Sequence, residues 1–341
     1  MALPRTSPDS VLFTTYNVLD LFLTDSPAGA EHYRQVVESI RELGTDVVAV
    51  QEIRGSDAQT VGARLRQLAD DAGMRCLVTA SGLPAGGGPP AGGGPPAGER
   101  KPALAMGSRG FHCGLMWRGE IEPVTGSLRT LGRGHFWHSL AVVTLDVGGR
   151  RVRHAAFHAT PFGRLLRADQ NERLVAMLNG PRGSLPLLIG ADWNTESADR
   201  VWDEQAECWA LYEPRDPYDG IRWTDDMVYQ CEWDYDERGQ RRHRADRRPG
   251  DVLWAGGLHD SAAVLRAPWQ PTVGHHPDDR YGAAGISRRI DAIRVTRHVL
   301  AALRAYHVTD TELTRQASDH LPVTVEYVPA AITQTDPSGR W

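Results

Sequence analysis

An α/β fold built on mixed β-sheet follows from three features of the 341-residue chain. Over the first seventy residues strand and helix patterns alternate, as a layered α/β fold requires. Between residues 111 and 158 three strand patterns succeed one another without a helix, which requires antiparallel or mixed pairing. Polar residues able to hold a metal or move a proton stand at the ends of several predicted strands.

The elements run in order as follows. "VLFTTYNV" (11–18) predicts a strand. Tyr33, Val36, Val37, Ile40 and Leu43 recur at helical spacing, with Gly44 as the stop. "DVVAVQE" (46–52) predicts a buried strand. The next helix carries Val61, Leu65, Leu68 and Ala72, with Asp57 as its N-cap and Gly73 at its end. "LPAGGGPPAGGGPPAGERKPA" (83–103) repeats AGGGPP in tandem and offers nothing to bury, so a disordered insert is expected there. Strands follow at "FHCGLMW" (111–117), "SLAVVTLDV" (139–147) and "RVRHAAFH" (151–158), then a helix over 165–178 with Leu166, Leu174, Met177 and Leu178 as its apolar side. "LPLLIGADWNTES" (185–197) opens as a strand and stops at acid, indole and amide. Residues 197–270 are rich in Trp and charge and low in periodicity, and "RRIDAIRVT" (288–296) and "LPVTVEYV" (321–328) close the sheet pattern. One domain over 11–328 is expected, with tails at 1–10 and 329–341.

Composition narrows the function classes. No apolar run approaches membrane-spanning length, and the start MALPRTSPDS lacks the pattern of a secretory signal. Cys76, Cys113, Cys208 and Cys231 are scattered without a CxxC pair, which fits reduced thiols in a cytoplasmic protein better than a disulfide framework or a zinc site. A net charge of −5 does not mark a nucleic-acid binder, and no obligate protein partner is evident. Lys101 is the only lysine, so the fixed cations are otherwise arginines. The one basic run, "DERGQRRHRADRRPG" (236–250), is interleaved with acids and reads as a solvated, partly mobile loop rather than a grip on a phosphate backbone. The many tryptophans read as packing residues, except Trp193, which lies between Asp192 and Asn194 and is expected near the chemistry. His112, His135 and His138 read as edge residues, with His138 the one placed to touch substrate.

Asn17 and Glu52 end the first two strands, His158 ends "RVRHAAFH", and Asp192 and Asn194 end "LLIGADWN". Asp319 and His320 precede the last strand, and Asp291 sits among residues that expect burial. Buried carboxylates cost several kcal/mol each unless a cation or hydrogen bonds answer them. Glu52, Asp192 and Asp319 brought together would repel one another, and hard oxygen ligands of this kind suit Mg²⁺ or Mn²⁺.

The ordered set "TYNVLD", "VVAVQE", "AFHATP", "IGADWNT", "RRIDAIRV" and "SDHLPV" resembles the endonuclease/exonuclease/phosphatase superfamily over residues 11–328. The resemblance implies a DNase I-like fold, two mixed β-sheets packed face to face with helices outside. It implies that Glu52 and Asp319 hold a divalent metal with Asn17 beside it. Asp192 is then the carboxylate that orients and deprotonates the attacking water, and Asn194 the amide on the scissile phosphate. His320 faces the phosphoryl oxygens with Asp291 behind it, and His158 is the other active-site histidine. Where many relatives carry an acidic residue two positions after the first asparagine, this chain has Leu19 followed by Asp20; the strand near Phe111 offers no carboxylate for His158, and His138 stands where some nucleases have an arginine.

The expected function is metal-dependent hydrolysis of a phosphate ester by an in-line water, on a small organic phosphate. Nuclease action on DNA or RNA is the alternative, and a catalytically silent binding module of the same fold is the third reading.

Overall fold

The computed structural model describes residues 3–81, 98–178, 186–223, 225–276 and 286–333. Two units of the same kind organise it. Val11–Leu21, the helix Pro27–Leu43 and Val47–Arg54 form a strand–helix–strand crossover whose strands pair in parallel. Arg150–His158, the helix Arg164–Leu178 and Leu187–Asp192 form the second, also parallel. Antiparallel strands extend each pair into a sheet. The first sheet runs Leu303–Val308, Val323–Tyr327, Val11–Leu21, Val47–Arg54, Phe111–Trp117 and Leu104–Met106. The second runs His259–Asp260, Asp291–Val295, Leu187–Asp192, Arg150–His158, Leu140–Val147 and Glu122–Pro123, with Arg129–Leu131 also on Leu140–Val147.

Strand alternation explains the apolar runs. Phe13, Val47, Ala49 and Leu115 of the first sheet pack against Val143, Ala156, Leu188 and Ile293 of the second, forming the inner layer. The intervening residues face outward: Val48 and Val50 meet Val36, Ile40, Val61 and Leu65 of two helices, while Phe157, Leu187 and Ile189 meet Leu174, Leu178 and Leu253. The result is the expected α/β arrangement of two mixed sheets, six and seven strands, with helices flanking them. At Gly190 the sheets approach so closely that a Cβ would lie 2.7 Å from Thr15 Cβ and 3.0 Å from Ala49 Cβ.

The helix starts match their caps. The Ser26 hydroxyl accepts from Gly29 N at 3.1 Å, and Asp57 accepts from Thr60 N at 2.9 Å to open Ala58–Asp71. Gly44 ends the first helix in the left-handed region, φ 62°.

Several expectations are corrected. The whole AGGGPP tandem falls within residues 82–97, outside the described residues. The end of the expected insert is ordered: Arg100–Pro102 pairs with Leu77–Thr79, and Ala103 is buried. The basic run is no loop. Cys231–Tyr235 and Arg241–Ala245 form a hairpin around its acidic turn, and the helix Arg248–Ala255 begins at its end. Its arginines have local partners: Arg244 pairs with Glu232 at 2.5 Å, and Arg241 stacks on Trp223 at 4.2 Å. Residues flanking 11–328 are tied on, since Thr6 N donates to Glu326 Oε1 at 2.7 Å and Ile332 is buried.

Candidate active site

The carboxyl ends of the four parallel strands meet at one end of the sandwich, the usual location of α/β sites. They deliver Asn17, Glu52, His158 and Asp192. Pairing fixes the alignment: Asn17 sits opposite Gln51, His158 opposite Asp192, and Asp192 opposite Asp291. The first pair slips in register between Asn17 and Leu21, and Glu52 takes φ +69°. Backbone strain of this kind collects at functional sites. Here it turns Glu52 toward Asn17, whose Nδ2 donates to Glu52 Oε1 at 3.0 Å and to Asp192 Oδ2 at 3.2 Å.

Asp192 is the hub. His158 Nε2 lies 3.3 Å from its Oδ2, His320 Nε2 lies 3.9 Å away, and the Asn194 N–H donates to Oδ1 at 2.9 Å. Burial would raise its pKa, but His320, His158 and the Asn194 amide outweigh burial and hold it below the usual carboxylate range. Burial likewise disfavours a charged His320. Asp291, Asp319 and Asp192 overcome that and hold the imidazole well above its ordinary pKa. His320 Nδ1 donates to Asp291 Oδ2 at 2.8 Å, so Nε2 faces Asp192 and, at 4.0 Å, Asp319. Ser318 fixes this segment, its hydroxyl donating to Asn17 O at 2.8 Å and accepting from His320 N at 3.1 Å.

The donor set fits a hard divalent cation. Burial raises the pKa of Glu52, His158 lowers it, and the neighbouring Asp319 and Asp20 raise it further, the condition a bound cation would relieve. Ligand atoms of Glu52, His158 and Asp192 lie within 4.8 Å of one another, as do those of Asp192, Asp291 and His320. Asp319 lines the same cavity as Glu52. Asn17 lies beside these donors, as expected, with its NH₂ toward the carboxylates and its Oδ1 accepting from Leu19 N–H at 3.2 Å.

Three residues were misplaced by sequence reasoning. Trp193 is 2% exposed, packs on Phe157 with ring centroids 5.5 Å apart, and donates its indole N–H to Ala292 O at 3.0 Å. The alternation that sends Asp192 to the cavity sends Trp193 to the opposite, helix-covered face. His112 and His138 are buried rather than at an edge. His138 lines the cavity as expected and also stacks on His158, centroids 3.9 Å apart. Burial, then His158, depress the His138 pKa. The Nδ1 atoms of His138 and His158 have no hydrogen-bond partner among the described residues.

Three residues were missed. Asp20 enters the cavity because Leu19 and Asp20 both take positive φ; its N–H donates to Glu52 Oε2 at 3.0 Å. The acid displaced by one position in the sequence is thus returned by the backbone. Gln230 donates from Nε2 to Asn194 Oδ1 at 3.2 Å, and its Oε1 accepts from Tyr218 OH at 3.1 Å and from Arg288 Nη1. Asn194 meanwhile donates to Ala159 O at 3.0 Å, so its amide is held from both ends. The unperiodic stretch around Gln230 carried no signal, whereas Arg288 stood within a quoted motif.

The profile of the endonuclease/exonuclease/phosphatase family matches residues 14–320. The chain belongs to that family. As a member it is a phosphoesterase, and family members typically depend on a divalent metal. Similar solved structures include an endonuclease/exonuclease/phosphatase family protein from Bacteroides thetaiotaomicron, at 14% identity and TM-score 0.55 over 94% of this chain and 98% of that one. A mannosyl-6-phosphatase from the same organism gives 14% and 0.52, covering 92% and 98%. An AP endonuclease from Archaeoglobus fulgidus gives 14% and 0.53, covering 93% and 99%. At these identities the likenesses show the fold. Comparison with curated protein sequences gives no match.

Proposed function

We propose that this member of the family hydrolyses a phosphate ester of a small organic molecule, with Mg²⁺ or Mn²⁺ held by Glu52 and Asp319. One observation carries the choice of substrate. The catalytic groups line a partly open cavity of about 240 Å³ whose walls include Phe111, Trp137, Phe162, Met227 and Tyr229. A small concave site with apolar walls and a few convergent polar groups suits a compact ester. It leaves little room for a duplex.

The residues divide the work. Asp192, ionised by its surroundings, accepts a hydrogen bond from the attacking water and takes its proton. His320, charged and fixed by Asp291, donates from Nε2 to the non-bridging oxygens on which charge builds. Asn194, held by Gln230 and Ala159 O, orients the phosphoryl group, and His158 assists the leaving oxygen. Asn17 contributes by keeping Glu52 and Asp192 in place rather than as a ligand. When bound, the cation supplies Lewis-acid stabilisation of the phosphoryl oxygens.

The test measures turnover of sugar, nucleotide and aryl phosphates, single-stranded oligonucleotide and plasmid DNA, with Mg²⁺, with Mn²⁺ and with excess chelator. The small esters are expected to react, and only with metal. Equal activity in chelator overturns the metal. Rapid plasmid nicking that weakens steeply with salt, without turnover of small esters, overturns the substrate in favour of a nuclease.

A further inference from the structure

A second cavity, about 560 Å³, adjoins the first, and Arg109 lines both. Arg54, Arg64 and Arg133 line it too, and its described lining includes no carboxylate. Asp20, in the catalytic cavity, pairs with Arg54 at 3.4 Å and is the acid set against this group. Four guanidinium groups gathered on one concave surface repel one another unless an anion answers them. In a chain of net charge −5 such a gathering is not a by-product of overall basicity.

The cavity is built rather than incidental. Arg54 stacks on Phe111 with its guanidinium carbon 3.9 Å from the ring centroid, and its Nη1 donates to Arg109 O at 3.1 Å. Arg64 Nη1 donates to Arg54 O at 2.8 Å while its guanidinium lies 5.2 Å from the Phe22 ring centre. Arg109, on a turn with φ +53°, lies over Trp137 at 5.4 Å. His112 forms the back wall: Nδ1 accepts from Gly107 N–H at 3.0 Å and Nε2 donates to Gly55 O at 2.9 Å. That pair of bonds requires the neutral ring, and burial favours the same state. Arg133 is exposed at the rim. Stacking and these backbone bonds fix the guanidinium planes, and a guanidinium has five N–H donors, more than these contacts use, so donors remain for a phosphate.

We infer that this arginine-lined cavity binds a second phosphoryl group of the substrate while the first lies at Asp192 and His320. The inference rests on the small-ester reading above and makes the substrate class organic bisphosphates. Arg109, shared by the two cavities, contacts the span between the groups.

The experiment compares kcat/KM for matched pairs: fructose 6-phosphate with fructose 1,6-bisphosphate, and adenosine 5′-monophosphate with adenosine 3′,5′-bisphosphate. In at least one pair the bisphosphate is expected to be favoured by about tenfold or more, the value of one charge-assisted contact. Arg64→Ala and Arg133→Ala should shrink that preference by raising KM for the bisphosphate, and Arg133→Lys should restore part of it. Equal treatment of mono- and bisphosphates by the wild type, or equal losses on both in the variants, overturns the inference. If no small ester reacts, the small-ester reading itself fails, and titration with inorganic phosphate then decides the cavity. Binding that survives Asp192→Asn but weakens in Arg64→Ala/Arg133→Ala supports an anion site, and binding indifferent to both arginines overturns it. Preference for oligonucleotide over every bisphosphate overturns the small-molecule assignment.

Discussion

Asp291 shows how much a residue can do without touching substrate. It is 1% exposed and bonded to His320 Nδ1 at 2.8 Å, so it sets both the direction and the charge of the imidazole. Asp291→Ala should therefore reproduce His320→Ala, each lowering kcat by about a hundredfold or more with the fold intact by circular dichroism. Full activity in Asp291→Ala would dismiss the pairing. This pair was legible because both residues stand in motifs at strand ends. Asp192 and Asn194 were legible because side chains two apart share a side, and the same rule, applied one residue further, removes Trp193 from the site. Asp20 was hidden by backbone: its place depends on two positive φ angles that nothing in "NVLDL" announces. Gln230 was hidden by distance, reaching Asn194 across 36 positions of chain.

Elements place these residues through sheet spacing and through buried charge. Gly190 faces Thr15 and Ala49 across the sandwich with no room for a Cβ, so Gly190→Val must push the sheets apart. Overpacking of this kind costs about 1–3 kcal/mol, and because Asp192 lies two residues on, activity should fall as well. Chemical denaturation and turnover measure the two losses; an unchanged midpoint would show that the sheets yield freely. Beyond the strand, Glu196 is buried against Glu213, and each leaves one carboxylate oxygen without a hydrogen-bond partner among the described residues, Glu213 Oε2 lying 3.8 Å from Arg247 Nη1. Burial and then Glu213 raise the Glu196 pKa well above the carboxylate range, against the pull of Arg247 and Arg289, so Glu196 keeps its proton and can donate toward Glu213. An acid with a raised folded pKa binds its proton more tightly in the native state. Its contribution to stability is whole below the unfolded value, about 4.3, and drains away as pH climbs through the folded value. Glu196→Gln keeps a donor at every pH, so its Tm advantage over the wild type should widen from pH 5 upward. A constant difference would refute the protonated Glu196. Helices and central strands were legible from period and caps. Leu303–Val308 was not, because "LRAYHV" lies at a sheet edge with Arg304 exposed and Ala305, Tyr306 and His307 only partly buried, which erases the apolar alternation. The hairpin Cys231–Tyr235/Arg241–Ala245 was masked by charge, its arginines exposed while Arg244 pairs with Glu232 and Arg241 stacks on Trp223.

At the scale of the whole molecule, the ends of the Gly/Pro segment are joined by chain that is already ordered. Ala80 N donates to Glu99 O at 2.7 Å, Gly98 N donates to Ala80 O at 3.3 Å, and the strands Leu77–Thr79 and Arg100–Pro102 continue that ladder. The two sides therefore stand at hairpin distance whatever lies between them. Residues 82–97 are glycine, proline and alanine apart from Leu83, with too little apolar surface to offset the entropy of ordering them. Loop closure depends weakly on length, each doubling costing only about 0.6 kcal/mol. Replacing 82–97 by an Asn-Gly turn, which suits a two-residue hairpin, should therefore raise stability by at most about 1–2 kcal/mol on that scaling and leave the cores untouched. Turnover should also hold, because neither cavity draws a described lining residue from positions 77–102. Thermal melts and steady-state kinetics of the shortened chain check both. A fall in Tm of many degrees would mean that the segment packs against the body, and a selective rise in KM with Tm unchanged would mean that it reaches the substrate.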